Sequence, residues 1–287
     1  MKQKHFSRAL LMGMSLCLTQ AIHANKGNDL SGGGSPGSII AGTATFEVTG
    51  FDGGLDWRTG IIVTDGSCTT SRLWASGWAY RLSTDTQELT LGATPDTSNY
   101  TGNVASFTWD NVNGQDKFNA ALTIELTQPQ AGGAVITRTL SIENIDTAPI
   151  TIDIFNYEDY DMNCTFGGDS AALTNDPDHI TIMDGVDTGE YRAGGNTNYQ
   201  VTGFQDLLLA LEDVAITDLD NTGLPFGSGD FTGGFQWSMV EVPRFGTYTV
   251  QTVNSFGMLA PTPADPVLFD DIIWKDGFET VAPPPAP

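Results

Sequence analysis

The fold of this chain is constrained most by an alternation of apolar and polar residues with a period of two. The alternation is clearest at residues 117–127, whose apolar positions are Phe118, Ala120, Leu122, Ile124 and Leu126. Successive side chains of a strand point to opposite faces, so this pattern predicts a half-buried β-strand. Residues 138–160 carry the same pattern twice more, on either side of a turn at 146–149.

The two ends of the chain differ from the strand-like middle. Residues 1–24 combine Lys2, Lys4 and Arg8 with a short apolar run and a small residue at Ala24, the pattern of a secretory signal peptide. The apolar run is too short to span a bilayer. We predict a signal peptide at 1–24, a flexible leader at 25–38, a β-sandwich domain at 39–256, and a Pro-rich linker with a short tail at 257–287. The mature protein is therefore expected to be secreted, extracellular or periplasmic in a bacterium, with no membrane insertion.

The middle of the chain predicts one fold class. Short strand-like segments are separated by polar and glycine-rich turns, and the chain contains 33 glycines but only 16% charged residues. Residues 206–214 could form a short helix, although their consecutive leucines would also suit a buried strand. We predict an all-β fold, an antiparallel β-sandwich of many short strands with little or no helix outside the signal peptide; a barrel is the alternative.

The charge of the chain restricts its partners. It has 12 basic and 35 acidic residues, a formal net charge of −23. Phosphate backbones and anionic lipid would be repelled, so we expect no nucleic-acid partner. An extracellular glycan or a cell-surface component remains a possible partner, and the oligomeric state is open.

An acidic loop after residue 158 is the strongest candidate for a metal site. Asp159, Asp161 and Asn163 supply oxygen atoms at every second position, and Asp169 follows a Gly-Gly pair. Ca²⁺ prefers six to eight hard oxygen ligands on a flexible loop, and it is the only cofactor we predict. The spacing is not that of an EF-hand, and the alternative is that these acids cap turns. Residues 218–223 are a second, weaker candidate.

Two functional hypotheses remain open. The first is a non-catalytic module that is structural or binds a glycan or a surface, and that calcium could stabilise. Trp74, Trp78 and Tyr80 share a face at 72–82, and we interpret them as core residues rather than as a sugar-stacking platform. The alternative is a carbohydrate-active enzyme with a carboxylate pair, Asp159 or Asp161 with Glu158 or Glu190. The sequence contains no His-Glu-x-x-His or phosphate-loop motif, and we assign no catalytic residues.

Arg138 lies on the apolar face of its predicted strand, together with Leu140 and Ile142. An arginine there either extends to solvent at a strand end or pairs with a carboxylate. We expect an ion pair.

Several short motifs resemble those of a known group of proteins. They are Thr139-Leu-Ser-Ile-Glu-Asn, Phe155-Asn-Tyr-Glu-Asp-Tyr-Asp161, Gly167-Gly-Asp-Ser170 and Phe235-Gln-Trp237. With them, the domain resembles uncharacterised secreted bacterial β-sandwich proteins that often carry PEP-type C-terminal anchors. The tail, Asp271-Ile-Ile-Trp-Lys-Asp-Gly-Phe-Glu279, resembles the C-terminal D-x-I-F-x-D-G-F-E signature of secreted bacterial proteins. The resemblance implies the fold and export but no activity, and the chain has no anchor motif.

The cysteines yield a first prediction. Only Cys68 and Cys164 remain after signal-peptide removal, and an even pair in an oxidising compartment forms a disulfide by default. A Cys–His nucleophile is disfavoured because His179 is the single histidine beyond residue 24. We expect that a thiol reagent will label neither cysteine of the secreted protein under denaturing, non-reducing conditions, and will label both after reduction. Labelling without reduction would contradict the disulfide.

Overall fold

The computed structural model describes residues 36–49, 57–63, 71–91, 94–174 and 176–257, and in this part of the chain it contains 17 strands. The strands are β1 (Gly37–Ala41), β2 (Ala44–Val48), β3 (Trp57–Val63), β4 (Leu73–Leu82), β5 (Leu89–Thr90), β6 (Thr97–Thr101), β7 (Val104–Trp109), β8 (Phe118–Thr127), β9 (Ala134–Asn144), β10 (Ile150–Tyr160), β11 (Asp169–Leu173), β12 (His179–Asp184), β13 (Asp187–Ala193), β14 (Asn198–Gly203), β15 (Phe226–Gly229), β16 (Phe231–Val242) and β17 (Thr247–Phe256). One α-helix, α1 (Asp206–Glu212), and 3-10 turns at Val112–Gly114 and Met162–Cys164 complete the described elements.

Several predictions lie outside these residues. They are the signal peptide at 1–24, most of the leader, the C-terminal tail, and the disulfide, because neither Cys68 nor the Cys164 side chain is described. The strand β1 begins at Gly37, within the segment predicted as leader. No helix of the described residues is long and apolar enough to cross a membrane.

The strands form two antiparallel sheets. The first sheet has the order β1-β2-β3-β4-β10-β16-β14, with β5 at the side of β4, and the second has the order β15-β11-β12-β13-β17-β9-β8-β7-β6. Apolar residues of both sheets form one buried cluster between them, in which Trp78 stacks on Trp237 with ring centroids 5.9 Å apart. The predicted antiparallel β-sandwich is confirmed.

Alternation placed most side chains correctly. In β8 every second residue from Phe118 to Leu126 is buried, as the sequence predicts. Residues 39–48, which the pattern presents as one strand, are a hairpin of β1 and β2, because Gly42 adopts a φ of 60° and turns the chain.

The predicted face of Trp74 is wrong. In the pairing of β4 with β10, Tyr160 lies opposite Leu73 and Asp159 opposite Ala75, so Trp74 is the extra residue of a β-bulge. A bulge reverses the alternation of faces at that point. Trp78 and Tyr80 point into the core as expected, whereas Trp74 points outward and is 42% exposed.

The helix covers the outer face of the first sheet. Leu207 and Leu211, one turn apart on α1, pack with Ala75, Phe155 and Tyr157 in a second, smaller apolar cluster. Beside this cluster, Arg81 donates to Glu88 at 2.6 Å and to Asp218 at 2.5 Å, and also to Asp153. The first residue of the weaker metal candidate at 218–223 is therefore bound to a cation of the protein.

An ion pair crosses the interior of the sandwich. Arg138 of β9 is 1% exposed, and its Nη1 lies 3.2 Å from Oε1 of Glu158 on β10, which is fully buried. Ser76 of β4 donates to the same carboxylate oxygen at 3.0 Å, and Asn254 of β17 accepts from the guanidinium. Burial raises the pKa of Glu158 to about 7, and Arg138, Ser76 and Asn156 oppose that rise. The expected pairing of Arg138 is confirmed.

This pair yields a stability prediction. Removing one partner leaves a buried charge uncompensated, so Arg138→Met should lower the free energy of unfolding by about 3–5 kcal/mol. Arg192→Met is the matched control, because its partnership with Glu190 is partly exposed and should be worth less than about 1 kcal/mol. Urea denaturation of the mature chain measures both. Equal losses of unfolding free energy in the two variants would show that the interior ion pair stabilises the fold no more than the exposed pair does.

Candidate functional site

The chain passes from one sheet to the other twice at the same end of the sandwich. Residues 161–168 connect β10 of the first sheet with β11 of the second, and Asp230 connects β15 of the second sheet with β16 of the first. Tyr160 at the end of β10 lies opposite Phe231 at the start of β16, so the first connection begins beside the point where the second one ends. We call this the acidic end, defined by Asp159, Asp161, Asp169, Asp184 and Asp230.

Three of these carboxylates converge. Asp159, Asp161 and Asp230 each offer an oxygen atom, and these atoms all lie within 4.8 Å of one another. Asp159 and Asp161 are 1% and 5% exposed, and carboxylates are seldom buried to this extent. Oxygen atoms at this spacing could contact one cation together.

Asp169 adds a fourth carboxylate to this end of the sandwich. It is completely buried, and neither of its oxygens has a hydrogen-bond partner among the described residues. Oδ1 of Asp230 is also buried without a partner there. Among the described ion pairs, none includes Asp161, Asp169 or Asp230. Buried carboxylate oxygens normally have a hydrogen-bond donor or a cation as partner, so these oxygens are unusual among the described residues.

The pKa shifts agree with this geometry. Burial, together with the charge of Asp230, raises the pKa of Asp161 to about 7. Burial and the charges of Asp184, Asp161 and Asp230 raise the pKa of Asp169 to about 8. The backbone N–H of Phe231 lies near Asp169 and lowers its pKa, although its geometry does not meet the criteria of a hydrogen bond. Each carboxylate therefore lies in the field of its neighbours.

The sequence found only part of this group. Asp159 and Asp161 lie together, and Asp169 interacts electrostatically with Asp161, as the metal prediction requires. Asn163 is exposed, and its backbone N–H donates to Asp187 at 3.0 Å. Asp230 was not predicted, because it lies about 70 residues further along and only the pairing of β10 with β16 brings it to Asp161.

Of the acids considered for catalysis, Glu158 and Asp159 lie on opposite faces of β10, and Glu190 has ion-pair partners of its own. Glu158 points into the sandwich toward Arg138, while Asp159, its neighbour in β10, points to the opposite face. Glu190 of β13 lies 3.3 Å from Nε2 of His179 and 2.5 Å from Nη2 of Arg192. Burial would raise the pKa of Glu190, but these two partners outweigh it and lower the pKa.

Two aromatic side chains are exposed at the acidic end. Trp74, the bulged residue next to Ala75, contacts Phe166 edge to face, with ring centroids 6.4 Å apart and an interplanar angle of 78°. Phe166 is 76% exposed and lies in the connection between Asp161 and Asp169. Phe166 thus lies in the same connection as Asp161, and Trp74 lies in β4 at the bulge opposite Asp159 and Tyr160.

Comparison with known proteins supplies structural likenesses only. No protein-family model matches the chain, and no curated protein matches it. A putative aldose 1-epimerase from Escherichia coli K12 has a TM-score of 0.47 at 9% identity and covers 78% of this chain and 99% of its own. The Slr1438 protein of Synechocystis sp. PCC 6803 has a TM-score of 0.47 at 7% identity, covering 78% and 96%. A bacterial glucoamylase complexed with acarbose has a TM-score of 0.45 at 10% identity, covering 78% and 32%.

The raised pKa values predict how stability depends on pH in a chelator. The pKa of Asp161 rises from 3.8 to about 7 and that of Asp169 to about 8, so the folded state is favoured while both are protonated. Their stabilising effect is complete below about pH 4 and is lost as the pH rises through these values. The melting temperature of the metal-free mature chain should therefore fall between pH 5 and pH 9.

Asp161→Asn should make this fall shallower, because it removes one of the titrating groups. Glu241→Gln, an exposed acid at the opposite end of β16, is the control and should leave the slope unchanged. A melting temperature that rises over this range would contradict the shifts.

Proposed function

We propose that this chain is an exported β-sandwich module that binds Ca²⁺ at its acidic end and acts by binding rather than by catalysis. The observation that carries the proposal is the group of buried oxygens of Asp169 and Asp230 without hydrogen-bond partners, beside Asp161. A cation there would supply the positive charge that these carboxylates lack among the described residues.

The donor set fits calcium best. All the candidate ligands are carboxylate oxygens, which hard cations prefer, and no described histidine or cysteine joins them to attract zinc. Magnesium requires a compact octahedral shell and retains most of its water, whereas Ca²⁺ accepts irregular sets of oxygens from flexible connections. The proposed signal peptide supports this choice, since extracellular calcium modules bind with a Kd of about 10⁻⁴–10⁻³ M.

The position of the site suggests what the ion does. Asp161 belongs to the connection from β10 to β11, and Asp230 to the connection from β15 to β16. One ion bound by both would join the two sheets at this end. The ion is thus proposed as a structural cross-link, in the same region as the predicted Cys164 disulfide.

A binding role is supported by the placement of the acids. The buried acid of the interior, Glu158, is completely enclosed and paired with Arg138, so no substrate reaches it without unfolding. The acids of the acidic end are close together and share one charge environment, which suits ion binding more than an acid and a base with separate roles.

Thermal unfolding tests the proposal. A ligand that binds only the folded state at 100 times its Kd adds about 2.7 kcal/mol, which for a chain of this size is about 5–10 °C. The mature chain at pH 7.5 should therefore melt about 5–10 °C higher in 10 mM Ca²⁺ than in EDTA. No difference between the two would overturn the proposal.

Asp161→Asn separates ion binding from general stability. It should abolish most of the calcium-induced shift and yet melt no lower than the unmodified chain in EDTA, because it also removes a like-charge repulsion. Glu241→Gln should keep the full shift. A shift that survives Asp161→Asn would place the ion elsewhere.

A further inference from the structure

We propose that Trp74 and Phe166 form, with the cation of the acidic end, a binding site for a neutral oligosaccharide. This inference rests on the proposed function, because the cation supplies the polar half of the site.

The two rings are placed for contact with a ligand. Trp74 is 42% exposed and Phe166 76% exposed, although both are large apolar side chains. The β-bulge of β4 turns Trp74 away from the core, where regular alternation would have buried it with Trp78. Exposed apolar residues that cluster, rather than occurring singly, mark interaction surfaces.

The geometry favours a sugar over a flat apolar partner. The face of an aromatic ring carries negative charge and attracts the positive C–H groups that a pyranose presents. With the rings at 78°, one offers its face and the other forms a wall, so the site suits one or two sugar units and not a flat crystalline polysaccharide. Sugar hydroxyls can then complete the oxygen shell of the cation next to the rings.

Charge decides between the possible partners. The formal net charge of −23 repels anionic polysaccharides, anionic lipid and a second copy of this chain. A neutral sugar carries no such penalty, and it can satisfy both the rings and the cation.

Isothermal titration calorimetry of the mature chain tests the inference in 10 mM Ca²⁺. The probes are neutral hexasaccharides of glucose, mannose and N-acetylglucosamine, with an alginate hexamer as the anionic comparison. We expect at least one neutral probe to bind and the alginate hexamer not to bind. Trp74→Ala and Phe166→Ala should each weaken that binding at least tenfold, and Trp74→Tyr should retain most of it.

Phe245→Ala is the matched control, since Phe245 is 61% exposed but lies after β16, at the opposite end of the sandwich. It should bind the probe normally. All three alanine variants should keep the calcium-induced rise in melting temperature. That rise separates failure of this inference from failure of the calcium proposal.

Three results with the sugar probes would overturn the inference. They are no binding of any neutral probe, binding that Trp74→Ala leaves intact, and equal binding in EDTA. Calcium-dependent binding to phosphatidylglycerol vesicles in place of the sugars would also overturn it, because the exposed rings would then serve a membrane.

Discussion

The structure depends on the burial of β10 on both of its faces. The inner face packs against the second sheet and the outer face against α1, so nearly every residue from Ile152 to Tyr160 is removed from water. Charged groups on such a strand are costly unless each finds a partner of opposite charge. Most of the polar architecture of the molecule follows from how these charges are compensated.

The compensation differs along the strand. On the inner face Glu158 is paired with Arg138 from the second sheet, which ties β9 to β10 across the core. On the outer face Asp153 is paired with Arg81, which also binds Asp218 of the loop after α1. At the end of the strand the pattern changes, because Asp161 and Asp230 converge with Asp159 and neither of the two is in a described ion pair. The proposed calcium site follows the rule that the first two networks obey.

The bulge in β4 brings an exposed aromatic residue to the end of the sandwich that carries these carboxylates. It lies opposite the junction between Asp159 and Tyr160, and it turns Trp74 out beside Phe166. A regular strand would have buried the indole and left Phe166 without this aromatic contact. The same local irregularity therefore shapes both the edge of the carboxylate group and the proposed sugar site. The two proposals remain separable, since the indole can be removed without changing a carboxylate.

The sequence by itself determined the fold class and the direction of most side chains. Period-two alternation needs no tertiary information, and it placed Phe118 to Leu126 correctly, whereas β10, predicted to be half-buried, is buried on both faces. It also indicated that Arg138 needs a carboxylate, since an arginine among apolar residues cannot remain unpaired. The tertiary structure alone decided which carboxylate that is, because strand order is not encoded in local periodicity. It likewise brought Asp230 to Asp161 and turned Trp74 outward, since pairing between distant strands and the register of a bulge depend on contacts far apart in the chain.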